Sequence, residues 1–381
     1  MKIVLAPDSY KGSLTAARVC SIIERAMKEE LPDADIVSIP MADGGEGTVD
    51  AIVRAASGRI IEMTVSGPLG LPIQTCFGDI SQNSERCAII EVASLFGLPM
   101  LAQEARDPLN TTSRGLGDAI RVVLDMGYRR LYIGLGGSST NDGGMGMLSA
   151  LGARFYSGSG EELRGFGRDL AALNHIDLSG LDPRLAECTL IAASDVTNPL
   201  LGPQGATHVY GPQKGADSET VEMLDEAMGK YADLLESAMR IQKRDSSGAG
   251  AAGGIGFALM SIGAQIRPGA EVVGMLCGLD EHIQASDWVL TGEGSSDGQT
   301  LYGKLPIYVA RRASAAGKPT LLLSGSLGDN WQSLLPYFTG CISTVTRPSS
   351  LEESLLQAER NLDIASRNAA RLLFKAQSFP K

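Results

Sequence analysis

Seven carboxylates stand beside glycine-containing loops in this sequence: Asp8, Asp43, Glu46, Asp142, Asp195, Glu293 and Asp297. Three lysines share that context, Lys11 in YKG, Lys214 in PQKG and Lys304 in YGK. Glycine lets backbone N–H groups approach an anion, and a helix N-terminus adds unpaired N–H groups and a positive dipole. Carboxylates repel a phosphate unless a cation lies between them, and Mg²⁺ is the hard, oxygen-liganded mediator that phosphate sites use. An aspartate can also orient or deprotonate an attacking hydroxyl. The residue types therefore point to phosphoryl chemistry.

Four segments share one plan of strand end, Gly-containing loop and helix start: PDSYKGS, MADGGEGT, GLGGSSTNDGG and TGEGSSDGQTLYGK. In an open α/β sheet, ligands sit outside the carboxyl ends of the strands. GLGGSSTNDGG offers a backbone phosphate cradle, with Gly136 and Gly137 for close approach and Ser138, Ser139, Thr140 and Asn141 as polar lining. Asp195 stands out as a lone acid after the apolar run TLIAAS. Taken singly, each feature also fits a capped turn or a solvated lysine; the coincidence of four such loops carries the reading. Two motif matches mislead. Gly298–Lys304 spells G-x-x-x-x-G-K, but Leu305 stands where the Mg²⁺-binding hydroxyl belongs. GAGAAG at 248–253 spells the dinucleotide pattern, but QKRDSS before it is no strand, and tight helix packing accounts for it better.

The elements that must position these loops follow from pattern. KIVLAP, DIVSIP, DWVL, PTLLLSGS and CISTVT are short apolar runs of buried-strand type. LTAARVCSIIERAMKEEL, with Ser13 as its cap, LPIYVARRASAAG and LEESLLQAERNLDIASRNAARLLF carry helical spacing. Between them, IIEMTVSG, IQTCFGDI and CAIIEVAS read as a meander. We expect a doubly wound parallel α/β domain, flavodoxin- or Rossmann-like, from residues 1–62 and 286–381, with a mixed α/β domain, 63–285, inserted. At ~150 residues per domain, 381 residues allow this.

Composition excludes several classes. A net charge of −11 without a compensating basic run argues against nucleic acid and an anionic membrane surface. No apolar run approaches the ~20 residues a spanning helix needs. Six cysteines without C-x-x-C and three isolated histidines argue for reduced thiols and against a zinc site. The expected location is cytoplasmic. An NAD-linked oxidoreductase of similar architecture is disfavoured by the missing fingerprint and by the lack of a loop histidine.

In order along the whole chain, PDSYKGSL, ADGGEGTVDA, SGPLG, GLGGSSTNDGG, LDPRL, SDVTNPLLGPQGA, YGPQKGA, GAGAAGG and TGEGSSDGQT with GK resemble the bacterial glycerate kinases of the first class. The resemblance implies two α/β domains with the active site in the cleft between them. It implies transfer of the γ-phosphoryl of ATP, with Mg²⁺, to the 2-hydroxyl of D-glycerate in organic acid catabolism, by a monomer or homodimer. It implies catalytic roles for Asp195, Lys11 and Asp297, and substrate contacts from Asp8, Asp43, Glu46, Lys214 and Lys304. The Gly136–Asn141 loop would bind nucleotide, and Asp195, Glu293 and Asp297 would hold the metal. A kinase of a related hydroxy acid, or a non-catalytic sensor on the same fold, is the alternative. The chain departs from the family pattern at Leu95 and Phe96, at Gly115–Asp118, at Ser194, and at Ser295, where relatives commonly carry Arg.

Overall fold

The structure, a computed structural model, describes residues 1–82 and 85–372. Among these are thirteen strands: β1 (Lys2–Leu5), β2 (Asp35–Ser38), β3 (Arg59–Ser66), β4 (Pro72–Gln82), β5 (Glu85–Glu91), β6 (Arg130–Gly134), β7 (Arg154–Ser157), β8 (Leu173–Asp177), β9 (Thr189–Ala193), β10 (Gln265–Arg267), β11 (Trp288–Ser296), β12 (Thr320–Leu327) and β13 (Gly340–Ser343). They belong to two compact units. The first holds Met1–Ala42, Asp50–Ser57 and the chain from Ala270 onward; the second holds Asp43–Val49 and Gly58–Gly269. The limits expected at 62/63 and 285/286 therefore move. Helix Leu279–Gln284 joins the first unit because Asp280 pairs with Arg312 of helix Leu305–Ala315.

The first unit is a parallel sheet in the order β13-β12-β11-β1-β2. Counted within the unit this is the flavodoxin-like order, and the direction of winding reverses between β1 and β11. Successive side chains of a strand point to opposite faces. Leu321 and Leu323 of β12 thus meet Val19, Ile22 and Leu362 from helices Ala16–Glu30 and Ala358–Ala370. Leu322 faces the other way, onto Ile307, Leu334 and Phe338. Each fully buried leucine contributes about 1.5–3 kcal/mol.

Three local expectations change. Thr15, not Ser13, caps the first helix by accepting from Arg18 N at 3.2 Å, because the Ser13 hydroxyl donates to Tyr10 O at 2.9 Å. The long final helix is two, Leu351–Leu356 and Ala358–Ala370, broken at Gln357. Strand β11 does not stop at DWVL but runs through Ser296, since Glu293 and Ser295 pair with Ser324 and Ser326 of β12.

The second unit has a six-stranded sheet in the order β10-β9-β6-β5-β4-β3 and a separate β7–β8 pair. The meander β3–β4–β5 is antiparallel as expected, and β5 then continues the same sheet in parallel with β6, β9 and β10. Helix Arg114–Asp125 buries Leu116, Ala119, Ile120, Val123 and Leu124 at helical spacing. Leu95 and Phe96, two of the departures from the family pattern, are fully buried in this core. No helix among the described residues is long and apolar enough to cross a membrane.

Candidate active site

In the second unit the expected residues gather at the carboxyl ends of the parallel strands. Segment 43–47 lies across the ends of β6 and β9. Gly136 N donates to Gly44 O at 3.0 Å, and a Cβ on Gly136 would fall 2.5 Å from Gly45 Cα. This glycine is demanded by backbone-on-backbone packing of two loops distant in sequence. Asp43 and Glu46 are exposed on the segment. Beneath it, Glu91 at the end of β5 accepts from Gly47 N at 3.1 Å and from Val49 N at 3.0 Å. Its carboxylate thereby satisfies N–H groups at the start of helix Thr48–Ala55.

Asp195 stands just past β9, with a solvent-facing side, and its Oδ1 accepts from Gly269 N at 2.9 Å. Burial by the surrounding chain, reinforced by the charge of Asp43, outweighs that hydrogen bond and lifts its pKa to about 6. Asp195 is thus ionised at neutral pH yet basic enough to take a proton, the property a general base needs.

The loop after β6 turns mostly inward. Gly137, at φ +74°, is exposed and Gly136 is half-buried; Ser138 through Asp142 are buried. Ser139 spends both its N–H and its hydroxyl on Phe96 O, at 2.9 and 2.8 Å. Asn141 Nδ2 donates to Thr207 Oγ1 at 3.0 Å, and Thr140 is fully buried. Of the six residues expected to line the cradle, Gly137 is the exposed one; Ser138, Ser139, Thr140 and Asn141 are buried, and the Gly136 N–H is spent on Gly44 O.

The N-terminus of helix Met145–Ala150, expected to face a phosphate, is filled by the protein's own carboxylate. Asp142 accepts from Gly144 N (3.0 Å), Gly146 N (3.2 Å), Ser113 N (2.7 Å) and Ser113 Oγ (2.7 Å). Burial raises its pKa, and these donors oppose the rise. Lys214 is likewise not displayed to a ligand: it is 2% exposed, and its Nζ donates to Thr140 O at 2.7 Å and Ser138 Oγ at 3.3 Å. Desolvation brings its pKa down to about 7 against the opposing field of Asp142. The GAGAAGG segment makes a left-handed turn at Ala252, Gly253 and Gly254, and Gly253 O accepts from Gly143 N at 3.0 Å. It packs on this loop, as the failed fingerprint suggests.

In the first unit the expected residues lie at the carboxyl ends of β1 and β11, where the winding reverses. Asp8 N donates to Gly292 O at 2.8 Å, and Asp8 Oδ1 accepts from Ser9 N at 2.6 Å. Lys11 is exposed on the turn between Tyr10 and Leu14. Glu293 sits on β11 itself, nearly buried. Its Oε1 accepts from Ser296 Oγ at 2.9 Å and Thr300 Oγ1 at 2.8 Å, and its Oε2 lies 3.6 Å from Lys304 Nζ. Asp297 caps the short helix Gly298–Tyr302 through Gln299 N at 2.8 Å and lies 3.8 Å from Lys304 Nζ. These three charges form one cluster in which two carboxylates share a single lysine.

Of the three acids expected at a metal, Glu293 and Asp297 belong to the first unit and Asp195 to the second. Glu293 and Asp297 share Lys304, whereas Asp195 feels Asp43. Among the described residues no group of three or more His, Cys, Asp or Glu converges to hold a metal ion. Sequence reasoning missed Glu91 and Ser113. Glu91 had a signal: it is an acid closing the apolar run CAII, the same context that singled out Asp195.

Relatives similar to this chain over its full length include kinases. One relative is the glycerate 2-kinase of Escherichia coli K12, 45% identical over 98% of each chain. Another is the glycerate kinase of Bacillus subtilis 168, 43% identical over 97% of each chain. A crystal structure of a Salmonella typhimurium LT2 protein assigned as glycerate kinase 2 superposes over 100% of both chains, with a TM-score of 0.87 and 44% identity. The chain belongs to the glycerate kinase family, whose model matches residues 3–374.

Proposed function

We propose that this chain transfers the γ-phosphoryl of ATP to the 2-hydroxyl of D-glycerate. The supporting observation is full-length similarity to a glycerate 2-kinase in a chain whose Asp195 carries one backbone hydrogen bond and a pKa of about 6. Asp195 takes the proton of the acceptor hydroxyl as it attacks. The exposed backbone at Gly137 receives nucleotide phosphates. Lys11 and Lys304 offset carboxylate or phosphate charge, Lys304 while already paired with Glu293 and Asp297.

Mg²⁺ fits Asp43, exposed and near Asp195, better than the Glu293–Asp297 pair, and leaves Asp195 to take the proton. The charge of Asp43 raises the pKa of Asp195, and a cation at Asp43 would offset it, whereas Glu293 already has two hydroxyls and a lysine. Mg²⁺ needs only one or two protein carboxylates and completes its shell with water and phosphate oxygens. When bound it would neutralise charge on the transferring phosphoryl group.

ADP release measured with D-glycerate, L-glycerate, tartronate or no acceptor tests the assignment. D-glycerate should give the highest kcat/KM. Release with every acceptor at the no-acceptor rate would remove the proposal.

A further inference from the structure

Beneath the only solvent-facing part of the Gly134–Asp142 loop lies a positive charge that does not reach solvent. Lys214 closes the short turn Pro212–Lys214, and its ammonium spans two acceptors of that loop, Thr140 O and Ser138 Oγ. Between them, Ser139 is pinned to Phe96 O. Asp142, with four donors of its own, supplies the opposing field. The loop has no evident substitute for this amine: Thr140 Oγ1 and Asn141 Oδ1 are buried without a hydrogen-bond partner. Burying an ammonium carries a desolvation penalty of several kcal/mol, so a simple packing role would be better filled by an apolar side chain.

We propose that Lys214 is a positioning residue for the nucleotide: its buried ammonium fixes Ser138 and Thr140 so that the neighbouring Gly137 backbone faces the phosphates. This rests on the reading that the exposed turn at Gly137 receives ATP. It replaces the expected direct contact of Lys214 with the substrate.

Lys214→Met keeps the length of the side chain and removes the charge and the donors. Titration of the full-length variant with Mg·ATP should show affinity reduced at least tenfold, with KM for ATP raised in parallel. KM for glycerate should change less than threefold. Lys214→Ala should behave likewise and recover part of its ATP affinity when propylammonium is added, but not when propanol is added. A merely structural lysine would give no such split and no amine-specific rescue. Should Lys214→Met fail to fold, Ser138→Ala removes one acceptor alone and should weaken ATP two- to fivefold. Gly137→Val separates the two readings. If it weakens ATP at least tenfold while Lys214→Met and Ser138→Ala bind normally, the role given to Lys214 is wrong and the loop reading stands. If none of the three changes ATP affinity, the loop reading itself fails.

Discussion

The loops Gly134–Met145 and Gly292–Leu305 look alike as sequence, each with glycines, hydroxyls, an acid and a following helix. They turn opposite faces outward. In the first, the hydroxyls and the acid point inward and backbone at Gly137 is left outside. In the second, Glu293 on the strand is tied to Ser296 beside it and to Thr300 of the short helix Gly298–Tyr302, and the charged ends of Asp297 and Lys304 are left outside. The first suits an anion held by N–H groups; the second suits an exchange of ion-pair partners. Asp195 differs from the acids of both loops, since one backbone N–H leaves its carboxylate available for a proton. An acid near glycines acquires chemistry only through the bonds it has not already made.

Substitutions can break this contrast. Removing the available acid should have the largest effect. Asp195→Asn should lower kcat by about 10²–10⁴-fold, the usual contribution of a general base, with the melting temperature no lower, since it removes a carboxylate whose charge burial disfavours. Near-wild-type turnover would exclude it from proton transfer. Removing the spent acid of the first loop should act on stability instead. Asp142→Ala leaves the buried N–H groups of Ser113, Gly144 and Gly146 without their acceptor, at about 1–3 kcal/mol for each stranded donor, and should lower the unfolding free energy by about 3–5 kcal/mol, read from denaturant melts. Glu293→Gln is a milder version, since a neutral amide weakens hydrogen bonds that involve a charged partner by about 1.5–3 kcal/mol at most. Its melts should shift while its kcat stays far above that of Asp195→Asn; equal kcat values would erase the distinction between the two acids.

The smallest effect is on pH dependence. A folded-state pKa of about 6 means Asp195 is protonated below that value, so kcat/KM should fall as pH drops through about 6. Asp43 contributes to the rise, so the midpoint of Asp43→Asn should lie lower. A midpoint that moves up, or stays, would show that the Asp43 charge does not reach Asp195.

Much of the fold was legible because its strands are short apolar runs bounded by glycine and proline, and the doubly wound order follows from β1, β2 and β11–β13 taken together. The end of β11 was not legible. TGEGSS looks like a loop and is held as strand only by its pairing with β12. At the site, the clustering was legible and side-chain direction was not. Gly136 looked like a phosphate glycine, yet its missing Cβ makes room for the Gly45 backbone, a contact invisible to local pattern. Lys214 looked like a displayed cation for the same reason: nothing in PQKG tells that the loop it meets, 138–140, folds over it.

Product analysis tests the central assignment most directly. Wild-type chain, ATP, Mg²⁺ and ¹³C-labelled D-glycerate can be followed by ³¹P and ¹³C NMR. Phosphorus–carbon coupling centred on C2 and a consumed γ-phosphoryl signal are predicted. A product phosphorylated at C3, or ATP consumed without any phosphoglycerate, would contradict it.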